Sequence, residues 1–177
     1  INSGAYGIVY KAKNIKTNKM VAAKVIRQIE NMSTELYEKK VNNEIKILIK
    51  IRHPTLINFI GYSLKDFTNL PNVTTFSDLA EMSLYDILNK IRNSQNIENF
   101  DNTCRQIILI GIARGMMYLH QQNIIHRDLK PANVLLDENF YPYISDFGES
   151  KTSELTKSSI QTNTYERPPA FIAPEIF

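Results

Sequence analysis

His126-Arg127-Asp128-Leu129-Lys130-Pro131-Ala132-Asn133, followed at once by Val134-Leu135-Leu136-Asp137 and then by Asp146-Phe147-Gly148, is the stretch that decides how this 177-residue chain is read. Asp146 and Asn133 offer a carboxylate and an amide oxygen, the hard donors that a divalent cation such as Mg2+ takes from protein. Asp128 is a second carboxylate with a separate task, and Lys130 stands two residues beyond it. Any one of His126, Asp128 and Asp146 alone would be an ordinary turn residue closing a strand end. The ordered set is a motif, and its chemistry fits phosphoryl transfer, which needs metal on oxygen ligands and positioned charge.

On these residues the sequence resembles the protein kinases. The resemblance implies that Asp128 accepts the proton of a substrate hydroxyl and orients it, that Lys130 reaches the transferred phosphate, and that Asn133 and Asp146 are the metal ligands. It also implies an α+β, two-lobe fold: a small antiparallel-sheet lobe with one helix over residues 1–79, ending in the hinge, and a mainly helical lobe, here truncated, over residues 80–177. ATP and Mg2+ are the expected cofactors, with a protein as phosphate acceptor.

Working outward to the N-terminus, Ile1-Asn2-Ser3-Gly4-Ala5-Tyr6-Gly7-Ile8-Val9 matches the family's glycine-rich loop, with Asn2 in place of its first glycine. Glycines let backbone amides approach phosphates, and asparagine tolerates positive φ better than most other residues. Gly4 and Gly7 are therefore expected at the nucleotide. Lys24, within Val21-Ala22-Ala23-Lys24, corresponds to the strand lysine that contacts the α- and β-phosphates, and Glu44 is its expected ion-pair partner. Val9, Ala22 and Leu135 would supply the apolar slabs around adenine. Aligning Ser83-Leu84-Tyr85-Asp86 with the family's usual start of the helix after the hinge implies Phe76 as the gatekeeper and Ser77 to Leu79 as the hinge; a one-residue slip makes Thr75 the gatekeeper instead.

Residues 1–29 alternate apolar and polar around glycines, which suits strands joined by the turn Asn14 to Lys19. From Ser33 or Thr34 as N-cap, Tyr37, Val41, Ile45 and Leu48 recur at helical spacing until His53-Pro54, and Glu44 lies on that stripe. Leu56 to Leu64 and Val73 to Leu79 read as strands, and Ser83 to Arg92 as a short helix. The asparagine-rich Arg92 to Asn102 reads as a linker into Thr103 to Gln121, a segment apolar on most faces and expected to be buried in a helical lobe. Ile124 to Asp137 and Tyr141 to Ser145 read as further strands. Glu149 to Arg167 holds nine hydroxyl residues, and its aliphatics are only Leu155 and Ile160. It is expected to be mobile.

The resemblance implies that Arg127 pairs with a phosphate on that segment, with Thr156, Ser158, Ser159, Thr162, Thr164 and Tyr165 as candidate acceptors; the alternative is a solvated loop of unmodified hydroxyls. Lys130 matches the serine/threonine-specific pattern, and His53-Pro54-Thr55-Leu56-Ile57-Asn58-Phe59-Ile60-Gly61-Tyr62 looks like the tyrosine-kinase-like group. Ahead of Ala173-Pro174-Glu175 the family commonly has Gly-Thr, where this chain has Arg167-Pro168.

The formal net charge is +3 with both signs scattered, so no basic stripe marks a nucleic-acid partner. The single cysteine, Cys104, excludes an internal disulfide and fits a reducing, cytoplasmic compartment. The longest apolar run, Ile107 to Ala113, is far short of the ~20 residues of a membrane span. The sequence leaves the oligomeric state open. The resemblance covers nearly all of this chain and roughly the first two thirds of a domain of about 250 residues. The expectation is a protein serine/threonine kinase whose 177 residues alone are poorly stable with little turnover; the alternative is a non-catalytic kinase-like binding module or an inactive truncated fragment.

Overall fold

Alternation of side chains sets the first sheet. Val21, Ala23 and Val25 are buried on one face of a strand whose other face carries Ala22 and Lys24. The computed structural model describes residues 2–4, 7–28, 32–152 and 171, and the remaining residues lie outside this description. Within it, β1 (Asn2–Gly4), β2 (Gly7–Lys13), β3 (Met20–Ile26), β4 (Phe59–Ser63) and β5 (Thr74–Asp78) form one antiparallel sheet in the order β1-β2-β3-β5-β4. The turn between β2 and β3 is closed by Asn14, whose backbone N–H donates to Lys19 O at 2.8 Å and whose side chain accepts from Lys16 and Thr17.

Helix α1 (Thr34–Lys50) starts where the sequence places it. Ser33 caps it, accepting from Leu36 N at 3.3 Å, and Glu35 sits in the first turn, favourable for the helix dipole. Its stripe Tyr37, Val41, Glu44, Ile45 and Leu48 is buried. The upper part of that stripe meets Ile26 of β3, and the Tyr37 hydroxyl donates to Ile26 O at 2.9 Å. The lower part, Ile47 and Leu48, enters a core shared with Ile51, Leu56, Phe59, Leu119, Ile124, Ile144 and Phe147. The sheet-bearing half and the helical half are therefore joined by one apolar cluster, placed directly behind the motif residues.

Beyond β5 come β6 (Met82–Ser83), α2 (Leu84–Arg92), α3 (Asn102–Gln121), β7 (Ile124–Ile125), a 3-10 turn Pro131–Asn133, β8 (Val134–Leu136), β9 (Pro142–Ile144) and β10 (Lys151–Thr152). α2 begins with a reciprocal capping box between Ser83 and Asp86. β6, β8 and β9 form a small sheet, while β10 pairs antiparallel with β7. Among the described residues no helix is long and apolar enough to cross a membrane.

Three expectations change. Leu56 to Leu64 is not one strand: only Phe59–Ser63 is, and Leu56 makes a single bridge to Ile144. Ile124 to Asp137 is two short strands separated by the catalytic stretch, because Pro131 cannot donate in a ladder and opens a 3-10 turn instead. Helix α3 is buried along one line, Ile108, Gly111, Gly115 and Leu119, whereas Leu109, Ile110 and Met117 are exposed. The two glycines explain the buried line. A Cβ on Gly111 would overlap Pro142, and one on Gly115 would lie 2.7 Å from Thr55 Oγ1 and 2.8 Å from Ile144 Cδ1. Helix and β9 thus approach more closely than any side chain permits.

Candidate active site

Lys24 is aimed by the strand alternation of β3 into the cleft between sheet and helix, and three elements distant in sequence meet at its ammonium. Nζ lies 2.9 Å from Glu44 Oε1 on α1 and 2.8 Å from Asp146 Oδ1, which follows β9. Glu44 is 7% exposed at its side chain and Lys24 19%, so these charges face each other largely out of water. Burial alone would push the Lys24 ammonium toward deprotonation, but the two carboxylates outweigh it and raise its pKa above the ordinary lysine value. Burial likewise works against an ionised Asp146, and the Lys24 charge and hydrogen bond outweigh it, holding that carboxyl below the usual range. Both shifts describe one arrangement: a protonated lysine between two carboxylates.

Asp146 holds φ of +63° and Arg127 φ of +68°, left-handed conformations that a non-glycine residue keeps only where its surroundings fix it. For Asp146 the fixing contacts are visible. Phe147 is fully buried in the shared core, and its ring meets His126 edge-on with centroids 5.2 Å apart. His126, also fully buried, accepts at Nδ1 from Asp128 N (3.3 Å), so the proton is on Nε2, which donates to Ser145 O at 3.0 Å. Burial lowers its pKa, in keeping with a neutral ring.

The carboxylate of Asp128 is oriented from one side. Its Oδ2 accepts from Lys130 Nζ at 2.7 Å and from Asn133 Nδ2 at 2.9 Å, while Asn133 Nδ2 also donates to Asp128 O at 2.8 Å. The hydrogen bonds to the Asp128 carboxylate among the described residues all fall on Oδ2. Asn133 spends its amide hydrogens on Asp128, so the carbonyl Oδ1 is its remaining polar atom. No group of three or more His, Cys, Asp or Glu residues that could hold a metal ion occurs among the described residues. One amide oxygen and one carboxylate fit Mg2+, which keeps several waters and takes phosphate oxygens rather than an all-protein cage.

Gly4 and Gly7 are opposite each other where β1 meets β2, and a Cβ on Gly7 would overlap the Val25 carbonyl. Val9 stands opposite Lys24, and Ala22 lies one alternation further along the same face of β3. Leu135 is on β8, partly buried against the shared core, rather than on the sheet with Val9 and Ala22. Phe76 does not take the gatekeeper place. It stands opposite Ala23, on the face away from Lys24, whereas Thr75 is opposite Lys24 and Ser77 opposite Ala22. Opposed residues of an antiparallel pair share a face, so Thr75 and Ser77 line the cleft. The hydroxyls Thr156, Ser158, Ser159, Thr162, Thr164 and Tyr165, the pair Arg167-Pro168 and Ala173-Pro174-Glu175 lie outside the described residues.

Two residues absent from the sequence reading belong to this site. Asn43 Nδ2 donates to Ser150 O at 2.8 Å, and Ser150, 1% exposed, donates through Oγ to His126 O at 3.1 Å. Neither belongs to a motif; the only sequence signal is that Asn43 adjoins Glu44 and Ser150 follows Gly148 by two.

A family model described as protein kinase domain matches residues 1–177. Relatives include serine/threonine-protein kinase STY46 of Arabidopsis thaliana, 37% identical over 177 residues, an alignment that takes in 99% of this chain and 28% of that protein. Mitogen-activated protein kinase 13 of the same plant is 36% identical over 174 residues, 95% of this chain and 45% of the relative. A receptor-like protein kinase of Ipomoea nil is 34% identical over 180 residues, 99% of this chain and 15% of the relative. The chain spans less than half the length of each of these proteins.

Proposed function

The chain belongs to the protein kinase domain family, and from that premise we propose that it transfers the γ-phosphoryl group of ATP to serine or threonine hydroxyls of proteins. The observation that carries this reading is the meeting of Lys24, Glu44 and Asp146 through two bonds of 2.9 and 2.8 Å, beside an Asp128 whose orientation is set by Lys130 and Asn133. Phosphoryl transfer asks the protein for positioning and charge stabilisation rather than covalent chemistry, and these charged groups support that reading.

Lys24, oriented by Glu44, binds the α- and β-phosphates. Asn133 and Asp146 would hold Mg2+, which would supply charge neutralisation for the phosphates. Asp128 receives the acceptor hydroxyl at its carboxylate and takes its proton, while Lys130, bonded to Oδ2, lies close enough to that carboxylate to stabilise charge on the group in transit. Val9 and Ala22 from the sheet and Leu135 from β8 supply the apolar slabs around adenine, a role supported by Val9 and Ala22 sharing the sheet face of Lys24, Thr75 and Ser77. Serine/threonine acceptors are supported by Lys130 in the catalytic stretch and by relatives named as serine/threonine-protein kinases.

Thermal stabilisation by nucleotide tests this reading. Mg-ATP is expected to raise the melting temperature in wild type, with no rise for ATP in EDTA and none in Lys24→Met, since ligand binding to the folded state alone stabilises it. A shift of the same size in Lys24→Met would contradict the proposed site.

A further inference from the structure

Ser150 connects three parts of the site at once. Its N–H donates to Phe147 O at 3.0 Å, closing the turn after Asp146; its hydroxyl donates to His126 O at 3.1 Å in the catalytic stretch; its carbonyl accepts from Asn43 on α1 at 2.8 Å. Asn43 is the neighbour of Glu44 on a continuous helix, so fixing one fixes the other. The chain between Asp146 and Ser150 runs alongside the same carboxylate: a Cβ on Gly148 would lie 3.3 Å from Glu44 Oε2.

We propose that Asn43 and Ser150 are a positioning pair that holds α1 against the segment after Asp146 and thereby keeps Glu44 on Lys24. The proposal rests on the functional reading above and assigns a control point to that site. Lys24 is shared between two carboxylates, and if α1 moves away its ammonium is left to Asp146 alone. Asp146 already accepts from Lys24, and it is a metal ligand in that reading, so losing Glu44 leaves the ammonium held by that carboxylate alone and drawn toward the metal position. Lys40 reaches the same segment through Glu149 at 3.4 Å, but its side chain is 37% exposed, and a pair so open to solvent contributes little. The Asn43 bond is shorter and directional, and it ends on the backbone of a residue that is 1% exposed.

A double-mutant cycle in the full-length protein tests the pair: kcat/KM for Mg-ATP in wild type, Asn43→Ala, Glu44→Gln and the double variant, each with a thermal melt. One neutral hydrogen bond corresponds to about a fivefold change, so Asn43→Ala is expected to lower kcat/KM by about that factor. In the Glu44→Gln background the same substitution is expected to have little further effect, because its consequence passes through Glu44. Asn43→Asp, equal in size but without the N–H donor, is expected to be at least as impaired as Asn43→Ala, which separates the bond from packing. Independent losses that multiply in the double variant, or Asn43→Ala and Asn43→Asp as active as wild type, overturn the pair while leaving the functional reading intact. A folded wild type without Mg-ATP-dependent transfer overturns that reading, and the role of the pair with it.

Discussion

Replacing Lys24 with methionine removes the one cation from a largely buried group of three charges. Glu44, 7% exposed, then has no counter-charge within its bonds, whereas Asp146, 34% exposed, turns to solvent. Breaking a buried ion pair by deleting one partner costs about 3–5 kcal/mol. The solvent access of Asp146 argues for the lower end, about 3 kcal/mol, or a melting-temperature drop of roughly 6–12 °C for a chain of this size. Urea unfolding of wild type, Lys24→Met, Glu44→Gln and the double variant measures it, with Glu44→Gln expected to recover part of the loss in the Lys24→Met background. Two losses that simply add would refute the argument.

His126 gives wild type a pH dependence. Burial lowers its pKa from 6.5, so as pH falls below that value the unfolded chain takes up a proton the folded chain refuses, and stability declines; a urea series from pH 7.5 to 5 should show the decline, and His126→Phe should flatten it. At Gly115, alanine improves helix propensity by about 1 kcal/mol but overfills the contact with Thr55 and Ile144, costing about 1–3 kcal/mol. The expected net loss is about 0–2 kcal/mol by denaturant unfolding, while Gly61→Ala, with nothing within 4 Å of its Cβ, should be neutral or slightly stabilising.

Much of this site is written locally. The stripe Tyr37, Val41, Ile45 and Leu48 with its serine cap yields α1 and places Glu44 on the buried face; strand alternation around Lys24 yields the other half of the ion pair. What local pattern does not carry is register and long-range pairing. Aligning Ser83 with the start of the helix after the hinge puts Phe76 in the cleft, but a strand has period two, so an error of one residue turns a side chain to the other face, and the pairing of Thr75 with Lys24 decides the matter. The run from Ile124 to Asp137 is strand-like only at its apolar ends, Ile124–Ile125 and Val134–Leu136, and the polar stretch with Pro131 marks the loop between them. Helix α3 is apolar nearly all round, so its buried line is marked by the spacing of Gly111 and Gly115 rather than by its large side chains. The bond from Asn43 to Ser150 joins residues 107 positions apart through a backbone carbonyl, which no side-chain pattern encodes.

The most direct measurement is incorporation of the γ-phosphoryl group of Mg-ATP into protein serine and threonine by the wild-type full-length protein beside Asp128→Asn. Measurable transfer is expected in wild type and a loss of about 10²–10⁴-fold in Asp128→Asn, the range of a deleted general base, with Mg-ATP still raising the melting temperature of the variant. Transfer that survives the substitution unchanged would contradict the role given to Asp128, and with it the reading of this site.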